Sequence, residues 1–231
     1  SSNMQQLLLE LGHESHRVAE FSQQLRYSGY RSVDAFLEHN PEFLELGKQA
    51  MAAALLPFET EQRLFPPGAP QDNWYEFLAN RMGAGSSDFG ANQLSIITFN
   101  YDRSLEHYFT RILAQRLRIS FEDAYAQFKS IPVVHVHGTL GEYPSTAPDG
   151  LEYGTQLSAD TVHRAATRIQ VVSEVTDNLP TFDEAYQLLD GAKRIFFLGF
   201  GFNADNVRRL RYFGTPRTGD GGPFVGGLQT G

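Results

Sequence analysis

Three short apolar runs constrain this chain most. They are "LSIITFN" (94–100), "IPVVHVHG" (131–138) and "RIFFLGFG" (194–201), each closing on polar or glycine residues. Runs of this length, rich in β-branched and aromatic residues, read as buried strands. The amphipathic segments "DRSLEHYFTRILAQRL", "SFEDAYAQFKS", "SADTVHRAATRIQVVS" and "TFDEAYQLLDGA" lie between them, and "NADNVRRLRYF" follows the third. Strands alternating with helices predict an α/β fold with a parallel sheet. Ligands of such sheets bind at the C-terminal strand ends. Here those ends carry Asn100 and Asp102, then His137 and Gly138, then Gly199, Gly201 and Asn203.

Before residue 94 the pattern is helical and no strand is expected. Leu7, Leu8 and Leu11 mark one helix; Val18, Phe21 and Leu25 mark the next. Ser32 is placed to cap "VDAFLEH", and Asn40-Pro41 to start the run with Leu44, Gly47, Met51 and Leu55 along one side. Asp72 is placed to cap a helix with Trp74, Phe77, Leu78 and Met82 on its apolar face. The organisation read from this is one domain over 1–213, helical over 1–90 and α/β over 91–213. A Gly-rich tail over 214–231, without periodicity, is expected to be a loop or frayed end.

With 231 residues, 41% of them hydrophobic, the chain can bury one sizeable core. A formal charge of −8 disfavours nucleic acid as the main partner. It leaves room for a small anion held by backbone N–H groups at a helix start. The absence of cysteine removes disulfides, thiol nucleophiles and Cys-based zinc sites. No run reaches the roughly 20 apolar residues of a membrane helix. The first residues lack a signal-peptide pattern, so a cytoplasmic protein is expected.

"RMGAGSSDFGANQ" (81–93) spells part of a dinucleotide-binding loop. Such a loop must leave a strand and open a helix, so that the pyrophosphate meets the helix N-terminus. This one leaves a helix and enters a strand. Gly83 reads instead as the terminator of the helix before it.

The segments "TFNYDRSLEHYF", "VVHVHGTLG" and "IFFLGFGFNADN", in this order and each at a strand end, resemble the Sir2-like family, in particular its bacterial NAD-hydrolysing branch. Thr98-Phe99-Asn100-Tyr101-Asp102 is similar to the Thr-Gln-Asn-Ile-Asp segment of sirtuins. His137-Gly138 matches the family's His-Gly, and Gly199-Phe200-Gly201 its Gly-Thr-Ser. The likeness covers most of residues 30–213, including the helices of "SVDAFLEHNPEFLELGK". It implies a Rossmann-like parallel sheet with helices on both faces and an α-helical annex. The family's first strand and its Gly-Ala-Gly-x-Ser phosphate loop have no counterpart at the start of this chain, so an N-terminally incomplete domain is expected. Deacylating sirtuins usually carry a four-Cys zinc module; its absence favours NAD hydrolysis over deacylation.

The resemblance implies His137 as general base, Asn100 as the group orienting water or ribose, and Asp102 as their support. It implies contacts to NAD from Thr98, Phe99, Gly138, Gly199, Phe200, Gly201 and Asn203. NAD+ is then substrate and partner, with no metal, nucleic acid or membrane required. A homo-oligomer or a sensor partner stays open, and the family analogy adds a role in anti-phage defence. The chemistry is compatible: a histidine titrates near neutrality, and an asparagine amide donates and accepts at once. Plainer readings stand beside these. Asp102 is a natural helix cap, Asn100 a turn residue, His137 a core histidine, and the glycines packing sites. Arg208, Arg209 and Arg211 read as a solvated face. Two rivals remain. One is a module that binds NAD or ADP-ribose, or a protein, without turnover. The other is a metal hydrolase using His135 and His137, which sit at i and i+2 on a strand, with Asp102.

Overall fold

The computed structural model describes residues 2–30, 32–68, 74–83, 89–145, 150–171, 180–199, 210 and 224–228. It is mixed α/β and mostly helical. Its helices are α1 (Ser2–Glu10), α2 (Ser15–Tyr27), α3 (Val33–His39), α4 (Leu44–Leu55), α5 (Glu61–Leu64), α6 (Trp74–Arg81), α7 (Ser104–Leu117), α8 (Phe121–Phe128), α9 (Ala159–Ala166) and α10 (Pro180–Gly191). Its strands are β1 (Ile96–Thr98), β2 (Val133–His135), β3 (Arg194–Leu198) and β4 (Phe224–Leu228). β1 pairs with β2 in parallel, Thr98 opposite His135. β3 pairs in parallel with β4.

Among the described residues no strand precedes β1, as the helical pattern of the first third requires. Ser32 caps α3, its hydroxyl accepting from the Ala35 N–H at 3.1 Å. Asn40 behaves differently from the cap expected of it. Its amide donates back to the Phe36 carbonyl, and Pro41 opens a short 3-10 turn ahead of α4. Leu7, Leu8, Val18, Phe21, Phe36, Leu37, Leu46 and Met51 form one core cluster, which α9 joins through Val162 and Ala165. Gly47 lets α4 meet α3, since a Cβ there would lie 2.5 Å from Leu37 Cδ2. A second cluster unites α6, α7 and α8 around Tyr108, Phe109, Leu113 and Phe128.

Neighbouring strand residues point to different clusters, as the strand period demands. Ile96 and Val133 pack into the α7–α8 cluster, whereas Ile97 and Val134 pack with Phe182 and Ala185 of α10.

Four local readings change. Phe77 lies 50% exposed, with the Arg81 guanidinium over its ring, while Ala79 is buried and Tyr75 stacks on Tyr108. The buried stripe of α6 is thus rotated from the one the apolar residues outline. α9 stops at Ala166, because Gln170 leaves the helix to donate its N–H to the His137 carbonyl at 2.9 Å. The strands are shorter than their apolar runs; Pro132 has no N–H, and the Thr98 hydroxyl takes the Asn100 N–H. The tail read as a loop or frayed end contains β4, which completes backbone pairing along β3. Asp72 and the helix pattern containing Arg208, Arg209 and Arg211 lie outside the described residues. No described helix is long and apolar enough to cross a membrane.

One charged pair ties these parts together. Arg103, ahead of α7, and Glu59, ahead of α5, each expose 1% of the side chain. Glu59 accepts from the Arg103 backbone N–H at 2.7 Å, from Nε at 3.1 Å and from Nη2 at 2.5 Å. The remaining guanidinium hydrogens go to the carbonyls of Glu142, Leu151 and Glu152. All five donors of the fork are therefore used. Gly141 makes room for it, since a Cβ there would lie 2.8 Å from Arg103 Nη1. Breaking one side of such a pair leaves a buried charge uncompensated. Glu59→Ala should therefore cost roughly 3–5 kcal/mol in urea unfolding; a loss under about 1 kcal/mol would mean the pair contributes little.

Candidate functional site

The C-terminal ends of β1 and β2 bring most of the sequence-predicted residues together. The backbone stays paired past both strands. Val136 N–H donates to the Thr98 carbonyl at 3.1 Å, and Leu140 N–H to the Tyr101 carbonyl at 2.8 Å. Residues 98–102 and 136–140 thus form one paired loop region. Thr98 closes a local turn on Asn100, which is exposed. Asp102 Oδ1 accepts the Ser104 N–H at 3.1 Å. That bond satisfies one of the open N–H groups at the start of α7, but the cap position is Arg103, so Asp102 supports the helix start from one residue ahead of the cap.

His137 is 5% exposed. Its ring lies among aromatics, 5.5 Å from Phe99, 6.3 Å from Tyr101 and 5.8 Å from Phe182, centroid to centroid. Gly138 has a φ of +79°, and a Cβ there would lie 2.2 Å from the Arg168 carbonyl oxygen. Its backbone bridges Ile169 in antiparallel fashion. The close approach that a glycine permits is here filled by the chain leaving α9. Gly199 follows β3 at a φ of +60° with open space around its Cβ position. Phe200, Gly201 and Asn203 lie outside the described residues.

His135 and His137 have separate surroundings. His135 Nδ1 lies 2.8 Å from the Asn100 carbonyl, and Nε2 lies 2.7 Å from Glu106 Oε1. A carbonyl can only accept, so Nδ1 carries a hydrogen. The second nitrogen then meets a carboxylate, and that contact also needs a proton. Burial favours the neutral ring, but the Glu106 hydrogen bond and charge outweigh it and raise the His135 pKa above 6.5. Among the described residues, no group of three or more His, Cys, Asp or Glu side chains is arranged to hold a metal ion.

Glu106 escaped the sequence reading. Its signal was a carboxylate on the buried face of α7, beside Leu105 and Phe109. Its Oε2 is buried without a hydrogen-bond partner among the described residues.

A second polar cluster also went unread. His107 Nε2 lies 2.7 Å from Glu61 Oε1, Nδ1 lies 3.0 Å from the Tyr143 hydroxyl, and the ring stacks on Tyr153 at 4.0 Å. Burial pushes the His107 pKa down despite Glu61. Glu61 is itself held low, burial being outweighed by hydrogen bonds from His107 and Arg111. A neutral His107 still donates from Nε2 to that carboxylate while Nδ1 accepts from Tyr143, so the bonds persist without charge on the ring. Burial pushes the Tyr153 phenol up to about 12, which removes it as a base near neutrality.

No family model, curated protein or solved structure matches the chain.

Two predictions follow from this geometry. Gly138→Ala should destabilise the fold by more than about 1 kcal/mol in denaturant unfolding, through both positive φ and the clash with Arg168; an unchanged midpoint would overturn that close approach. In a ring-nitrogen NMR titration, His135 should lose its proton above pH 6.5 and His107 below it. The contribution of the raised His135 pKa to stability is then fully present below pH 6.5 and is lost as pH rises through the folded value. The depressed His107 pKa works oppositely, its contribution being lost as pH falls below 6.5. The reverse order of titration would contradict both assignments.

Proposed function

We propose that this chain is a Sir2-like domain that hydrolyses NAD+ to nicotinamide and ADP-ribose. The observation that carries the reading is the meeting of Thr98–Asp102 with His137-Gly138 at the C-terminal ends of the parallel pair β1–β2. That is where an α/β sheet binds its ligand. The finer architecture proposed with it is a Rossmann-like sheet carrying β1, β2 and β3, with helices on both faces. The packing of Ile96 against the α7–α8 cluster and of Ile97 against the α10 cluster supports it. Gly199 follows β3 at a positive φ, a conformation that glycine adopts readily.

In this reaction the bond between nicotinamide and ribose breaks, and nicotinamide leaves as a neutral base with the electron pair. A water oxygen joins the anomeric carbon, and its proton passes to His137 and then to solvent. Asn100 orients the water or a ribose hydroxyl, and Asp102 holds the Asn100 loop against α7. Thr98, Phe99, Gly138 and Gly199–Gly201, with Asn203, form the proposed NAD contacts. A cytoplasmic setting, a role in anti-phage defence, and a homo-oligomer or sensor partner belong to the same reading by family analogy.

A second reading draws on one observation. His137 is enclosed by three aromatic rings, and enclosure favours a core histidine in a domain that binds NAD or ADP-ribose without turnover. Nicotinamide release from NAD+ separates the two. With His137 as the base, nicotinamide release should fall roughly 10²-fold or more in His137→Ala with the fold retained. Tight NAD+ binding with no release would favour the binding module. Turnover unchanged in His137→Ala would remove His137 as the base.

A further inference from the structure

His135 reaches both the Asn100 loop and the buried carboxylate of α7. Its side chain is 8% exposed and that of Glu106 is 11% exposed. Asn100 itself is exposed, and its side chain is free of any fixing bond in the local turn, which uses only its backbone N–H. What fixes the orientation of its peptide is its carbonyl, and that carbonyl accepts from His135 Nδ1 at 2.8 Å. The ring cannot turn over without cost, because Nε2 is held by Glu106 Oε1 at 2.7 Å. Glu106 in turn sits on a helix whose first turn is anchored by Arg103 and Asp102.

We propose that His135 is a positioning residue that holds the Asn100 peptide in place, with Glu106 fixing the ring that does so. The inference rests on the NAD-hydrolase reading for its consequence, since Asn100 is the water- or ribose-orienting group there. It deepens that reading by adding two residues that touch no substrate. The arrangement follows the common pattern in which a buried carboxylate orients an imidazole, and the imidazole orients the group that matters. Asp102 is the other acidic group that favours charge on His135.

Two amide substitutions separate positioning from simple burial. In His135→Asn the side-chain nitrogen takes the place of Nδ1, so the bond to the Asn100 carbonyl is kept. In His135→Gln the nitrogen takes the place of Nε2, so the bond to Glu106 is kept and the one to Asn100 is lost. His135→Phe loses both. We expect His135→Phe to lower kcat for nicotinamide release about tenfold or more, with KM for NAD+ within about twofold. His135→Asn should recover most of that loss and His135→Gln little of it. Recovery by His135→Gln and not by His135→Asn would overturn the proposal, leaving His135 as a partner of Glu106 alone. An undiminished kcat in a folded His135→Phe would overturn it too. Should His135→Phe fail to fold, the contrast between the Asn and Gln variants decides. Should the parent chain release no nicotinamide, the hydrolase reading fails, and positioning is judged by the Asn100 amide resonances. Resonances shifted in His135→Gln and native-like in His135→Asn support it; resonances unmoved in His135→Gln overturn it.

Discussion

The buried pairing of Arg103 with Glu59 sets the frame for everything around it. The two residues stand 44 positions apart in sequence. Together they lock the loop ahead of α5, the start of α7 and the segments at 142 and 151–152 into one arrangement. Replacing such a pair by apolar residues is often neutral for stability, so its value lies as much in geometry as in energy. A guanidinium with five directed donors accepts only one arrangement of its neighbours. That arrangement fixes where α7 begins, and Asp102 and Glu106 take their positions from it.

Charge and apolar enclosure are separated at the strand ends. His135 is braced between a carbonyl and a carboxylate, which favours a proton on both ring nitrogens. His137, two residues on, sits among Phe99, Tyr101 and Phe182. The same short segment thus supplies a histidine held in a cationic setting and one held in an aromatic setting. Along a strand, residues two apart would share a face. The turn that begins after His135 breaks that relation and gives the two rings different neighbours.

Local pattern made β1, β2, β3, most helix positions and the placing of the 98–102 loop beside the 136–140 loop legible. The apolar runs at 94–100, 131–138 and 194–201 each contain a strand, and Ser32 and Gly83 act as their residue types suggested. The end of α9 was illegible because a long-range backbone bond to His137 competes with helix continuation. β4 was illegible because a Gly-rich tail has no periodicity and acquires its structure from pairing with β3. Phe77 misled because an aromatic ring can cover an arginine stem on the surface as readily as it fills a core. Glu59 with Arg103, and Glu106 with His135, are contacts between distant segments. Only the assembled fold brings them together.

The main chain around His137 is held on every side without its side chain. Val136 donates to Thr98, Gly138 to His135, and Gln170 to the His137 carbonyl. The backbone there is therefore fixed by main-chain partners of its own, and the buried ring adds packing among three aromatics to it. Removing the ring thus has two separable effects: a packed site loses its side chain, and the main chain keeps the bonds that set its path.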